Sequence, residues 1–237
     1  MSDRFTQKLE QQRRKTRWRI TGVVAALLVV AFGFWLVFFS SVFAISEVKV
    51  SGTDHLTPEQ VIQAAEVPIG EPLVRLDTDE VVKKVEQLLI VESAKVDREL
   101  PHTVLISVKE RSAVAWLEKG GSAWAVDGTG VIYRQLASKP SHIPQLKVDA
   151  QDRRTVAAAA RVAADISGAG SVLAKQVQAI SAQSRDSIEL DLTKDRTVFW
   201  GSAQDSATKL TVLEALLNTK ARTYDVSAPE SPTTAES

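Results

Sequence analysis

The chain of 237 residues contains no cysteine. No disulfide can therefore staple the fold, and no thiol is available for redox chemistry or catalysis. The three histidines, His55, His102 and His142, are scattered along the chain and lack the spacing of metal ligands, so we expect no metal site. Stability must come from packing and hydrogen bonding, and a chain of this length can bury a core large enough to supply it.

Charge is absent from one long stretch of the sequence, between Ile20 and Ile45. A helix over these 26 residues would be about 39 Å long, which exceeds the roughly 30 Å of a bilayer's hydrocarbon core. The sequence therefore predicts one transmembrane helix over residues 20–45. A cleaved signal peptide is the competing interpretation, because Val42–Ala44 resembles a cleavage site, but the apolar region of a signal peptide is usually only about 7–15 residues long.

The flank of this stretch sets its orientation. Residues 1–19 carry seven basic and two acidic side chains, so the positive-inside rule predicts a cytoplasmic N-terminal tail. We then expect a single-pass type II protein of the cell membrane, with its C-terminal domains outside the cytoplasm. Of the 29 basic and 29 acidic residues in the chain, 22 and 27 remain beyond the tail. This net acidic part gives no reason to expect a nucleic-acid partner.

Residues 46–111 show the pattern of a strand, two helices and two further strands. Glu47–Ser51 alternates apolar and polar residues, as a half-buried strand does. Thr57 predicts a capping box at the start of the first helix, and Asp77 predicts the cap of the second. Two more alternating segments follow on either side of Pro101. Three strands with two helices on one face make a small α+β domain.

From residue 112 to residue 227 the pattern changes to short strands with two helices. Asp127–Gly130 is a strong signal for a hairpin turn, and Asp152–Ile166 has the periodicity of a buried helix. Ser202 and Asp205 open a second predicted helix, with Leu210, Leu213 and Leu217 on one face. We expect a mostly antiparallel β domain that includes both helices. Residues 228–237 consist only of Ser, Thr, Pro, Glu and Ala, which predicts a disordered C-terminal tail.

Two groups of residues carry side chains that could take part in catalysis or metal binding, and a structural role is the simpler interpretation of each. Ser206 and Lys209 have the S-x-x-K spacing of penicillin-binding enzymes, but the companion motifs of those enzymes are missing. We therefore interpret both residues as the outer face of a leucine-striped helix. Asp186, Glu189 and Asp191 are interpreted as a solvated strand edge. The sequence thus predicts no catalytic residue, no cofactor and no small-molecule substrate.

Several short motifs occur in a fixed order between residues 20 and 227. The most specific stretch, Val96 to Arg111, contains Val and Arg, then Pro-x-Thr, an alternating strand and Glu-Arg. Before it stand the Val-x-Val-x-Gly strand ending at Gly52 and the turn Gly70–Leu73, and after it stand Val126-Asp127-x-x-Gly130 and Tyr224–Ser227. In this order and spacing, the chain resembles the bacterial cell-division family FtsQ, called DivIB in some Gram-positive bacteria.

This resemblance implies a membrane helix followed by a POTRA domain over residues 46–111 and an FtsQ-type β domain over residues 112–227. It also implies a scaffold and not an enzyme. FtsQ proteins are essential-type divisome subunits at the division septum. They bind small coiled-coil membrane proteins of the FtsB (or DivIC) and FtsL kinds, and through them influence the septal peptidoglycan synthase FtsW–FtsI.

The resemblance also implies a partner-binding site at the terminal strand. An unpaired sheet edge there would accept a partner strand, with Tyr224 and Val226 on one face. Because Ala228–Pro232 is expected to pair poorly, the edge is predicted at Tyr224–Ser227 itself or elsewhere. The residues implied at this edge are Arg222, Thr223, Tyr224, Asp225, Val226 and Ser227.

Glu110 and Arg111 lie where the two predicted domains join. We interpret this pair as a solvated strand end, or as an ion pair that sets the angle between the domains, in preference to a direct partner contact.

Two other functions remain as alternatives. POTRA domains also occur in protein-translocation and envelope-assembly components, but those carry a signal peptide and a many-stranded barrel for which this sequence has no room. A cell-wall enzyme held by the membrane helix would need a nucleophile or a metal, and the candidates above do not supply either.

Overall fold

The computed structural model describes residues 18, 21–35, 38, 41–170 and 172–236. The chain divides into two compact units, Met1–Glu110 and Arg111–Ser237. Residues 21–35 are helical. Within the described part of the chain, no helix is both long enough and apolar enough to cross a membrane. The tail predicted over residues 1–19, apart from residue 18, lies outside the described residues, and so do residues 20, 36, 37, 39 and 40 of the predicted span.

The predicted C-terminal end of the transmembrane helix is wrong. Ser41–Phe43 form a short 3₁₀ turn, and Ala44 makes a β-bridge with Pro72. The Ile45 side chain is only 1% exposed and belongs to the core of the first unit. An uncharged apolar residue suits a protein core as well as lipid, so composition alone could not locate this boundary.

The first unit has the predicted order of strand, helix, helix, strand and strand. Its central strand is the last one in sequence, which pairs in parallel with the first and antiparallel with the second. The elements are β1 (Glu47–Ser51), α1 (Pro58–Ala65), α2 (Thr78–Val85), β2 (Val91–Glu99) and β3 (Thr103–Glu110), with sheet order β1-β3-β2.

Both predicted helix caps of the first unit are confirmed. The Thr57 hydroxyl accepts a hydrogen bond from the Gln60 N–H, and the Gln60 side chain accepts one from the Thr57 N–H. At α2, the Asp77 carboxylate accepts hydrogen bonds from the N–H groups of Asp79 and Glu80. Such side chains satisfy backbone donors that have no partner inside the helix, and each cap contributes about 0.5–2 kcal/mol.

The second unit is a nine-stranded sheet with two helices. The helices are α3 (Arg153–Gly168) and α4 (Ser206–Leu216). The strands are β4 (Ala115–Lys119), β5 (Ser122–Val126), β6 (Ile132–Gln135), β7 (Gln145–Lys147), β8 (Val177–Ala182), β9 (Ile188–Leu192), β10 (Arg196–Gly201), β11 (Thr223–Asp225) and β12 (Thr233–Ala235). Their order in the sheet is β12-β11-β10-β9-β8-β7-β4-β5-β6. The β4–β7, β7–β8 and β10–β11 pairings are parallel, and the other pairings are antiparallel.

The hairpin turn predicted at Asp127–Gly130 lies between β5 and β6, as expected. Gly130 has a φ of +87°, and a Cβ at this position would lie 2.5 Å from the Cα of Ala157 in α3. Only glycine therefore fits here, because both the backbone angle and the close approach of the helix exclude a side chain.

The prediction of a disordered tail over residues 228–237 is wrong in part. Thr233–Ala235 form β12, which pairs antiparallel with β11. All three side chains of β12 are exposed, so the strand adds no apolar residue to the core. The polar composition of residues 233–235 gave no sign of a strand, although strand pairing needs only backbone groups. Pro232 does not prevent this pairing, because it stands just before the strand and not inside it.

Candidate functional site

The terminal strand β11 is not the outer edge that the sequence predicted. Thr223, Tyr224 and Asp225 pair with β10 on one side and with β12 on the other. The free edge at this end of the sheet is therefore β12. Residues 233–235, which form β12, belong to the tail that the sequence predicted to be disordered, so of the two places left open for the edge the structure shows one outside Tyr224–Ser227.

Backbone hydrogen bonds hold β12 in place. Thr223 is opposite Ala235, Tyr224 is opposite Thr234, and the Arg222 N–H donates to the carbonyl of Ala235 at 3.0 Å. Each such bond contributes about 0.5–1.5 kcal/mol net. With exposed side chains and only three residues, β12 covers the outer side of β11 weakly.

The six predicted edge residues divide into buried and outward-facing ones. Tyr224 and Val226 are fully buried, and the Tyr224 hydroxyl donates to the carbonyl of Ala221 at 2.9 Å. These two side chains build the core and cannot contact a partner in this structure. Arg222 and Ser227 are exposed, while Thr223 and Asp225 are half-buried. Only these four side chains are accessible from outside.

An exposed aromatic residue beside this edge was missed by the sequence interpretation. Phe199 in β10 is 41% exposed, and it lies in register with Glu189 of β9 and Asp225 of β11. Its neighbours Val198 and Trp200 are fully buried. The alternation of β10 could have identified Phe199, because side chains on either side of it in sequence must point to the opposite face.

The side chain of Lys209 lies under the end of β10, and its predicted place on an outer helix face is wrong. It is 2% exposed, and its Nζ donates to the carbonyls of Trp200 at 3.0 Å and Ser202 at 2.9 Å. Burial lowers the pKa of Lys209, and the nearby charge of Asp205 opposes this only in part. Lys209 stands in the first turn of α4, where side chains point back toward the helix N-terminus and so reach these carbonyls.

Ser206 is also buried and also makes a structural contact. Its hydroxyl donates to the carbonyl of Ala203 at 3.2 Å. The predicted exposure of Ser206 is therefore wrong as well. Both members of the S-x-x-K pattern bond to backbone carbonyls around the β10–α4 connection.

Glu110 ends β3 and binds the loop that precedes α1. Its carboxylate accepts hydrogen bonds from the N–H groups of Asp54, His55 and Leu56 at 2.9–3.0 Å. The His55 ring also lies within 2.9 Å of it. Burial raises the pKa of Glu110, but these donors lower it by more, so this pKa lies below its ordinary value. The residue fixes a loop of the first unit and is not a solvated strand end.

Arg111 begins the second unit and binds Asp127 within that unit. One Arg111 guanidinium nitrogen donates to Asp127 Oδ2. The other carboxylate oxygen accepts bonds from the Thr129 N–H at 2.9 Å, the Thr129 hydroxyl at 2.7 Å and the Val131 N–H at 2.9 Å. Arg111 thus fastens the start of this unit to the β5–β6 turn.

Two family models match the chain. "POTRA domain, FtsQ-type" matches residues 43–111, and "Cell division protein FtsQ/DivIB, C-terminal" matches residues 114–228. Together they span most of the sequence.

Curated relatives resemble the chain over most of its length. The cell division protein FtsQ of Streptomyces venezuelae is 38% identical over 92% of this chain and 86% of its own length. The FtsQ protein of Streptomyces coelicolor is 33% identical, with 92% of this chain and 89% of the relative covered.

Among solved structures, the major extracytoplasmic domain of the trans isomer of the cell division protein DivIB from Geobacillus stearothermophilus is similar at 18% identity and a TM-score of 0.37. The match covers 47% of this chain and 99% of the DivIB chain. Because the family models span more than half of the sequence and the relatives exceed 30% identity over most of both chains, this protein belongs to the FtsQ/DivIB family of bacterial cell division proteins.

Proposed function

We propose that the chain is a noncatalytic divisome scaffold held in the cell membrane, with its N-terminal tail in the cytoplasm and its two units outside. Its partners are small bitopic coiled-coil proteins of the FtsB (or DivIC) and FtsL kinds, and through them it acts on the septal synthase FtsW–FtsI. One observation carries the proposal: in the part of the chain that the structure describes, the outer side of β11 pairs only with the short strand β12, whose three side chains are exposed.

The binding mode is strand addition in place of β12. A partner segment would pair along Arg222–Ser227 and use the backbone groups that β12 now occupies. The Arg222 N–H, which donates to Ala235, is the clearest of these groups. Main-chain hydrogen bonds supply the affinity in such complexes, and alternate side chains supply the specificity.

Phe199 gives this edge a side chain suited to recognition. It is an exposed aromatic ring on β10, adjacent in register to Asp225 of β11. Aromatic residues dominate the binding energy of many interfaces because they bury large areas with few rotatable bonds. A partner strand beside β11 would lie two strands, or about 10 Å, from β10, so only a long outward side chain of the partner would reach this ring across Asp225.

The membrane anchor is supported by the sequence. Residues 20–41 contain no charged residue and follow a strongly basic tail. The absence of catalysis is supported by the contacts of Ser206 and Lys209, because both side chains bond to backbone carbonyls instead of to each other.

The cellular role is tested by localisation and depletion. Fluorescently tagged protein is expected to gather at septa, and its depletion is expected to give undivided filaments. An even distribution over the membrane with normal division would overturn the proposal.

The replacement of β12 is tested by deleting residues 229–237, with binding of an FtsB-type partner measured on the full membrane protein in detergent. If the partner takes the place of β12, deletion leaves binding unchanged or makes it tighter. Loss of binding would instead assign the contact to β12 itself.

A further inference from the structure

Three segments of the first unit meet at the point where β1 begins. The Ile45 N–H donates to the carbonyl of Glu71 at 2.9 Å, and the Gly70 N–H donates back to the carbonyl of Ile45 at 2.8 Å. On the other side, the Ser46 N–H donates to the carbonyl of His102 at 3.0 Å. The turn between α1 and α2 and the turn between β2 and β3 are thus fixed against the entering chain.

Each of these three segments carries an exposed apolar side chain. Val42 is 58% exposed, Ile69 is 62% exposed and Leu100 is 68% exposed. The Ile45 side chain, in contrast, is 1% exposed. Large apolar side chains that cluster at one end of a compact unit mark a surface with an apolar partner.

The occupant follows from chain continuity. The uncharged run of the sequence reaches this same point, because Glu47 is the first charged residue after Arg19. Four residues, even fully extended, span at most about 14 Å, and the 3₁₀ turn at Ser41–Phe43 shortens this reach. If residues 20–41 lie in a bilayer, the turns bonded to Ile45 and Ser46 must lie at its surface.

We propose that this end of the first unit inserts into the lipid interface, with Ile69 and Leu100 among the upper acyl chains. The proposal rests on the membrane anchor proposed above. Exposed Glu71 and Glu99 stand next to these tips. Insertion is therefore driven by apolar contact and does not require anionic lipids, which these carboxylates would repel.

The absence of cysteine makes the test direct, since one introduced thiol is the only site of labelling. Leu100→Cys and Ile69→Cys are each labelled with an environment-sensitive dye in the full chain, reconstituted in phosphatidylcholine vesicles that contain bromine on their acyl chains. The matched control is Leu89→Cys, which is 63% exposed and precedes β2. It stands at the opposite end of the sheet, about 25 Å away along that strand.

We expect the bromolipids to quench most of the fluorescence at positions 100 and 69 and to leave position 89 unquenched. Flotation of the same vesicles measures the anchor separately. If the protein floats but positions 69 and 100 are no more quenched than position 89, lipid insertion is wrong and the anchor stands. If the protein does not float, both the proposed membrane anchor and the proposed lipid insertion are wrong. Equal quenching at all three positions would also contradict the proposal, because it would show no preference for this end.

Discussion

A single carboxylate, that of Asp127, holds together the turn between β5 and β6. Burial raises the pKa of Asp127, but the Thr129 hydroxyl, the Val131 N–H and the Arg111 guanidinium lower it by more. The pKa therefore lies below its ordinary value, and the ionised form stabilises the folded state. This contribution is complete above the ordinary aspartate pKa of about 4 and is lost as the pH falls through the folded-state pKa.

We expect Asp127→Asn to lower the free energy of unfolding of the second unit at pH 7 by about 1–3 kcal/mol, because bonds to a charged acceptor become neutral ones. The difference from the wild type should shrink below about pH 4. Urea unfolding followed by fluorescence measures this, since Trp116, Trp124 and Trp200 lie in the second unit. Asp186→Asn, at an exposed acid, is the control. A difference that does not vary with pH would contradict the assigned role of the charge.

Lys209 is a second residue whose role is local. We expect Lys209→Met to destabilise the second unit by about 1–3 kcal/mol, because the carbonyls of Trp200 and Ser202 lose their donor. Removal of a buried charge offsets part of that loss. Lys220→Met, at an exposed position near the same end of the chain, should change stability by less than about 0.5 kcal/mol. Equal effects in thermal or urea unfolding would show that the buried ammonium is dispensable.

At the scale of the element, β11 determines what the candidate site offers. The Arg222 N–H faces β12, whereas the Arg222 carbonyl accepts a hydrogen bond from the Thr197 N–H at the start of β10. Replacement of Arg222 by proline therefore removes one outward donor and leaves the inward bond. A proline at Val226 would be a poorer test, because the Val226 N–H donates to Phe199 in β10 and its side chain is fully buried.

In a chain that lacks residues 229–237, where no β12 competes for the same donor, Arg222→Pro should weaken binding of an FtsB-type partner by roughly 2- to 12-fold, the equivalent of one backbone hydrogen bond of about 0.5–1.5 kcal/mol. Arg222→Ala in the same shortened chain retains the donor and should bind like the shortened chain without a substitution. Calorimetry or a quantitative pull-down on the membrane protein measures both. Equal weakening in the two variants would assign the contact to the arginine side chain, and no change in either would move the site away from β11.

The elements also differ in how well the sequence reveals them. The caps at Thr57 and Asp77 were predictable because capping depends on residues three or fewer positions apart. The strand β12 could not be predicted in this way, because its partner strand lies about ten residues away in sequence and its side chains are polar and exposed. The burial of Lys209 was hidden for a related reason: its acceptors are carbonyls, which no sequence pattern reports.

At the scale of the whole molecule, the sequence predicts on which side of the membrane each part lies. The basic tail should be cytoplasmic and both folded units should lie outside. Because the chain has no cysteine, Lys8→Cys and Lys220→Cys each provide a single reactive position. A membrane-impermeant maleimide should label position 220 in intact cells and label position 8 only after the cells are permeabilised. Labelling of position 8 in intact cells would contradict the proposed topology.

The composition of the chain and its order of motifs were sufficient to identify the two-part architecture. The family models match residues 43–111 and 114–228, and the structure divides the chain between Glu110 and Arg111. What the sequence did not separate is the membrane segment from the first unit. Ile45 belongs to the core of the first unit. An apolar side chain suits a protein core and a lipid bilayer equally, so the sequence could not assign this residue to one of them.

If a partner strand pairs with β11, the pairing of β12 at the same place raises the partner concentration that binding requires. A strand on a short tether competes at an effective concentration on the order of millimolar, whatever the concentration of the partner. The apparent dissociation constant of a partner is then its intrinsic value divided by the fraction of molecules in which β12 is detached. A dilute partner would leave β12 in place, whereas a partner at high local concentration in the membrane would displace it, so β12 would confine assembly to places where the components are concentrated.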